Sequence, residues 1–319
     1  MIEVNGIKTK VIDCHNHWGL DKSGGGAEPD LEEYHKLLGG IDKTFLFPSN
    51  HPVAGPRGFT VAEKILDIAK NSNQILPFFR LDLAEVDRCK FHNLLCSGGD
   101  ECRFGEQYGL CEMGLEDLLI LVKKIGFKGV KIHPRTSMKN YRVHKIDSPE
   151  LKRVVLACDK AGLKMVSIHT HNFEMVSEFV ELGKSTLPSA SNVALICGHS
   201  GGGTSKAERR ICREYVGRQI TRIRREYSWA NRMLFDMSNV YEEYLLEGLL
   251  LCKRGADGLE RSEEGAGNIS NLVYGTDWPF VKDITPGKKV EKVISTLSGA
   301  GFSEKEIHAL CHKNIEKVL

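Results

Sequence analysis

The feature that most limits how this chain can fold is an alternation of short β-branched runs with helical patterns along nearly its whole length. Strand-like runs are Lys10 to His17, Lys43 to Pro48, Ile75 to Asp82, Gly129 to His133, Lys164 to His169, Val193 to His199, Met233 to Met237 and Leu272 to Asp277. Helical periodicity falls between most of them, over Val61 to Lys70, Leu115 to Ile125, Pro149 to Ala161, Phe173 to Leu182, Ala207 to Tyr227 and Tyr241 to Cys252. Such alternation implies parallel pairing with right-handed crossovers, and eight units in 319 residues suit a closed barrel. The expected class is α/β, a (β/α)8 TIM barrel forming a single domain over 1–319. A doubly wound open sheet competes, but it would normally carry a Gly-rich phosphate turn after its first strand, and Cys14-His-Asn-His-Trp is unlike one.

Two segments break the rhythm. Residues 20–30, with three consecutive glycines, read as a flexible loop directly after the first strand, where a barrel keeps its substrate-facing loops. Residues 84–112 read as an insertion after the third strand and hold Cys89, His92, Cys96, Cys102 and Cys111. Their separations match no tight Cys-x2-Cys zinc knuckle, so scattered reduced thiols are expected, with a structural zinc or a lid disulfide as alternatives.

Composition removes some functions. Lys and Arg number 44 against 42 Asp and Glu, a net charge of +2 that gives no electrostatic argument for nucleic acid or an anionic membrane. The arginines of 206–232 are interleaved with Glu208, Glu214 and Glu226, which fits a solvated helix or a contact between subunits of a homo-oligomer. The start of the chain lacks a basic and apolar leader, and no apolar run reaches the ~18 residues of a membrane span. A soluble, cytoplasmic protein is expected. Cysteines inside apolar patterns, such as Cys14, Cys158 and Cys197, agree with a reducing compartment.

The chemistry gathers at strand ends. His15 and His17 close the first strand, and period-2 alternation points both imidazoles to one face as a chelating pair. His133, His169 and His199 each end a later strand, and Asp277 ends the eighth. In a barrel these ends converge on one mouth. Five imidazoles and a carboxylate meeting there would leave costly unpaired polar groups unless they hold a divalent metal. Asp13 reads as a partner on the His15 face, or as an ordinary buried carboxylate.

At this point the sequence resembles the amidohydrolase superfamily. The likeness is to its amidohydrolase-related branch, that of aminocarboxymuconate semialdehyde decarboxylase and related hydrolases. The pieces are Val11-Ile-Asp-Cys-His-Asn-His, Gly129-Val-Lys-Ile-His-Pro, Ile168-His-Thr, Gly198-His-Ser-Gly-Gly and Tyr274-Gly-Thr-Asp-Trp-Pro, in the family's order. The resemblance implies His15, His17, His169 and Asp277 as metal ligands, with His199 beside the metal rather than on it. Three imidazoles and a carboxylate suit one zinc ion first, with manganese or iron admissible. It implies catalysis in which Asp277 takes a proton from an activated water, while His199 orients that water and stabilises developing charge. The family's binuclear members use a fourth-strand carboxylate, often a carboxylated lysine. Lys131 occupies that strand, yet the branch resembled works with a single ion.

Four residues extend the pattern as substrate-facing groups. Lys131 and His133 share a strand face, His171 repeats the two-residue spacing after His169, and Arg80 offers a planar cation for a carboxylate. An ion pair between Arg80 and Asp82, and a loop histidine without function at His171, are the plain alternatives. The expected activity is hydrolysis of a C–N or C–O bond in a small, polar, carboxylated molecule. A non-oxidative decarboxylase on the same ligands is the alternative, and a non-enzymatic metal-binding or assembly protein is a third reading.

Overall fold

The computed structural model describes residues 1–20, 26–49, 57–81, 114–134, 145–200, 206–238, 246–247, 249–250, 269–280 and 284–319. Eight strands follow one another around a barrel: Ile12–Leu20, Lys43–Pro48, Ile75–Leu81, Gly129–Ile132, Met165–His169, Ala194–Gly198, Met233–Asp236 and Leu272–Val273. Each pairs in parallel with its sequential neighbour. The eighth closes onto the first through Cys14 N–H to Tyr274 O (2.9 Å), Asp277 N–H to His15 O (2.7 Å) and His17 N–H to Trp278 O (2.8 Å). The fold is therefore the (β/α)8 barrel and not the open sheet.

Helices fill the crossovers where periodicity placed them: Arg57–Lys70, Leu115–Ile125, Pro149–Lys160, Phe173–Thr186 and Lys206–Glu226. Their starts follow local chemistry. Ser148 accepts the N–H of Leu151 ahead of Pro149, and Asn172 accepts the N–H of Met175, each satisfying a donor the helix cannot. Helices that the periodicity did not show include Leu31–Leu37 and Pro286–Gly299, capped in the same way by Asp30 and Thr285, and the helical run Glu304–His308, Ala309–Lys313 and Asn314–Glu316. Of the expected helix Tyr241 to Cys252, 246–247 and 249–250 are helical and the rest lies outside the described residues. So does the Cys-rich insertion 84–112. Five described cysteines, Cys14, Cys158, Cys197, Cys212 and Cys311, are buried and not in disulfides. No described helix is long and apolar enough to cross a membrane.

Two strands differ from the reading of the sequence. The first runs on to Leu20 because Gly19 and Leu20 pair antiparallel with Ala27 and Gly26, inside the segment read as a loop. The eighth ends at Val273 instead of Asp277, because past it the backbone bonds go elsewhere, Tyr274 N–H to Leu310 O and Asp277 N–H to His15 O of the first strand.

Strand alternation then layers the barrel. Ile12, Phe45, Phe78, Met165, Ile196, Leu234 and Val273 fill its interior as an apolar cluster. Counting two residues toward the carboxyl ends on the same faces reaches Arg80, Lys131, Ser167, Gly198, Asp236 and Gly275. A further step reaches His133, His169, Ser238 and Asp277. The first strand keeps pace by a bulge, its pairing with the second shifting by one residue between Asp13 and Asn16. Cys14 belongs to the apolar interior, yet its neighbour His15 bonds within the polar layer above, and the extra residue permits both.

Candidate metal centre

Three donor atoms converge at the mouth. His15 Nε2 lies 3.1 Å from His17 Nε2. Asp277 Oδ1 lies 3.7 Å from the first and 3.5 Å from the second. A tetrahedral ion with bonds of 2.0–2.1 Å separates its ligand atoms by about 3.3 Å, so this triangle has the size of a metal-binding face. His199 joins from the sixth strand, its Nδ1 lying 3.9 Å from Asp277 Oδ2. His15, His199 and Asp277 also offer donor atoms that all lie within 4.8 Å of one another.

Protonation suits the same purpose. Burial pushes the His15 imidazole well below its usual range, lowers His17 in the same way, and brings His199 down to about 4. All three are neutral near pH 7 and have lone pairs to give. Burial works to raise the Asp277 carboxyl, but the imidazoles of His199, His17 and His15 outweigh it and hold the group well below the carboxylate range. Neutral imidazoles around a fixed carboxylate fit a divalent cation.

Backbone geometry marks the same residues. His199 and Asp277 have φ of +61° and +56°, in the left-handed region, which costs a non-glycine residue of order 1–3 kcal/mol. Hydrogen bonds hold them there: Asp277 N–H to His15 O, and Arg213 Nη2 to His199 O at 3.4 Å. His17 is fixed by edges of Phe47 and Phe280, and its Nδ1 has no hydrogen-bond partner among the described residues.

The remaining sequence candidates form a second tier. Lys131 is fully buried, with Nζ 3.0 Å from His15 Nε2 and 4.5 Å above the Phe47 ring, and burial brings its pKa down to about 7. His169 does not join the triangle directly. Its Nδ1 meets His199 Nε2 at 3.0 Å, its Nε2 meets His171 Nε2 at 2.6 Å, and its ring stacks on His133 at 4.4 Å. The barrel thus brings His133, His169, His171 and His199 into one row leading away from Asp277. Arg80 donates to Pro48 O at 3.5 Å, while Asp82 lies outside the described residues.

Of the two readings of Asp13, the structure bears out the ordinary buried carboxylate. The bulge turns it away from the imidazole, and its carboxylate instead accepts the N–H groups of His15 (3.0 Å) and Thr276 (2.9 Å) and the Thr276 hydroxyl (2.6 Å). It ties the first strand to the eighth. The partner of His15 is a residue the sequence reading passed over: Asp236, whose Oδ2 lies 2.5 Å from His15 Nδ1. Ser238 completes the contact, with Oγ 2.6 Å from Asp236 Oδ2 and 3.0 Å from His199 Nδ1.

No family model matches the chain, and no curated protein does. Solved structures do match. An amidohydrolase from Burkholderia multivorans with bound zinc superposes with a TM-score of 0.60 at 11% identity, covering 97% of this chain and 99% of that one. 4-Oxalomesaconate hydratase from Rhodopseudomonas palustris gives a TM-score of 0.58 at 12% identity, covering 97% of this chain and 95% of that one. At such identities the likeness is one of fold: the chain has the barrel of the amidohydrolases.

Proposed function

We propose that this chain is a metal-dependent hydrolase that uses water to cleave a C–N or C–O bond in a small, polar, carboxylated molecule. The observation that carries the reading is the triangle of His15 Nε2, His17 Nε2 and Asp277 Oδ1, with edges of 3.1 to 3.7 Å at the carboxyl end of the barrel. Catalytic groups of such barrels sit at that end. The zinc in the Burkholderia amidohydrolase supports a cation of this kind, zinc before manganese or iron.

His15, His17 and Asp277 hold one divalent cation in this proposal, with His169 the further ligand that the family resemblance implies. When bound, the cation supplies an acidified water and polarises the carbonyl under attack. Asp277, ionised and against two imidazoles, takes the water's proton. His199 stands beside it, orients the water and stabilises the charge that develops, and the proton held by Asp277 passes to the leaving group. Lys131, His133, His171 and Arg80 put cationic and hydrogen-bonding groups around the same mouth, which favours an anionic substrate.

The test is a screen of zinc-loaded protein against amides, esters, lactones and carboxylated aromatics, reading product and carbon dioxide together. Hydrolysis without gas release is expected. Carbon dioxide as the product would replace hydrolysis with decarboxylation. Protein that binds zinc and turns over nothing would favour a binding role.

A further inference from the structure

We infer that Asp236 is a positioning residue that sets the tautomers of three site histidines at once, directly at His15 and through Ser238 at His199 and His169. The assignment rests on the metal-site reading above, because it explains how His15 comes to present a lone pair.

A carboxylate only accepts hydrogen bonds. Asp236 Oδ2 lies 2.5 Å from His15 Nδ1, so His15 carries its hydrogen there and leaves Nε2 bare, the atom that faces His17 and Asp277. The same oxygen takes the Ser238 hydroxyl at 2.6 Å. With its hydrogen committed, Ser238 Oγ has only lone pairs for His199 Nδ1 at 3.0 Å, so His199 also carries its hydrogen on Nδ1. His199 Nε2 is then an acceptor, and its donor is His169 Nδ1 at 3.0 Å. His169 Nε2 is left bare in turn. One anion orients a chain of donors, and each of the three imidazoles ends with Nε2 unprotonated.

The barrel makes room for this contact. A Cβ on Gly275 would fall 2.5 Å from Asp236 Oδ1 and 2.8 Å from His15 Cβ, so only glycine lets the carboxylate and the imidazole meet. Asp236 also accepts the Ser238 N–H at 2.8 Å through Oδ1, which fixes which way its head faces.

The experiment is 15N NMR of histidine-labelled, metal-free protein, with zinc affinity measured by chelator competition. In the wild type, His15, His169 and His199 should show protonated Nδ1 and bare Nε2. In Asp236→Asn the amide oxygen stays on the Ser238 N–H, which turns the amide NH2 toward His15 Nδ1. The His15 hydrogen should then move to Nε2, and zinc should bind roughly 10- to 100-fold more weakly. Ser238→Ala should leave His15 unchanged and release the fixed tautomers of His199 and His169. A wild-type His15 protonated on Nε2 would overturn the inference, as would Asp236→Asn with an unchanged His15 spectrum and zinc affinity. If Asp236→Asn fails to fold, the wild-type and Ser238→Ala spectra decide by the same criteria. Wild-type protein that bound no divalent cation would remove the proposed function, while its spectra would still decide the tautomers.

Discussion

His15 Nε2 and His17 Nε2 lie 3.1 Å apart although the strand that bears them is bulged one residue earlier. Both rings are buried, so either can be shortened without opening the apolar interior below. His15→Ala or His17→Ala should lose zinc and activity while circular dichroism and cooperative unfolding persist. Full zinc content in the double variant, by elemental analysis, would defeat the ligand assignment.

His199→Asn should keep the metal and lower turnover by roughly 100-fold or more, the scale of proton transfer and charge stabilisation by a placed side chain. Zinc content and kcat on the same preparation check this. Loss of metal would make His199 a ligand, as its place with His15 and Asp277 also permits.

One metal ion per chain is expected. Lys131 Nζ sits 3.0 Å from His15 Nε2, where an ammonium would repel a dication, and burial eases its deprotonation to about pH 7. Elemental analysis after reconstitution in bicarbonate counts the ions. Two equivalents, with the second lost in Lys131→Ala, would make a carboxylated Lys131 the bridge between them.

Metal-free protein should lose stability as pH falls from about 6.5 toward 4. His199 is lowered to about 4 by burial, so in that window the unfolded chain binds a proton that the folded chain refuses, a cost of roughly 3 kcal/mol at the acid end. Asp13 acts oppositely: raised to about 6 by burial, it binds its proton more tightly when folded, and stabilises as pH falls through 6. One acid is outweighed, because burial also lowers His15, His17, His133 and His169. Urea midpoints at pH 7.5 and 5.0 measure the balance, and a higher midpoint at pH 5.0 would reverse it.

Gly275→Ala should cost about 1–3 kcal/mol, the usual penalty of overpacking, and weaken zinc binding as well, since the new methyl strikes both Asp236 and His15. Thermal melting and chelator competition read the two effects separately. Stability lost with zinc affinity intact would show that the pair can move together.

Much of this was legible in the chain. The β-branched runs gave all eight barrel strands, and histidines at their ends pointed to the mouth before any fold was known. Asp236 and Ser238 were missed for want of one step, because Leu234, Asp236 and Ser238 alternate on the inward face as Met165, Ser167 and His169 do. The Asn5-Gly6 turn of the hairpin Ile2–Val4 with Ile7–Thr9 was also readable, being a dipeptide whose residues both accept positive φ. The bulge at Asp13 to Asn16 was not readable, since the strand is continuous in composition and its register depends on the second strand. Nor was the place of His169, which depends on how far His133, His171 and His199 reach across the barrel.

The extra residue of the first strand lets one continuous strand serve both the apolar interior and the polar mouth. Deleting Cys14 would let that strand pair evenly with Lys43–Pro48 and leave His15 and His17 two residues apart on one face, at the loss of one interior side chain. A one-residue deletion there would therefore probe the packing of the interior and not the orientation of the imidazole pair.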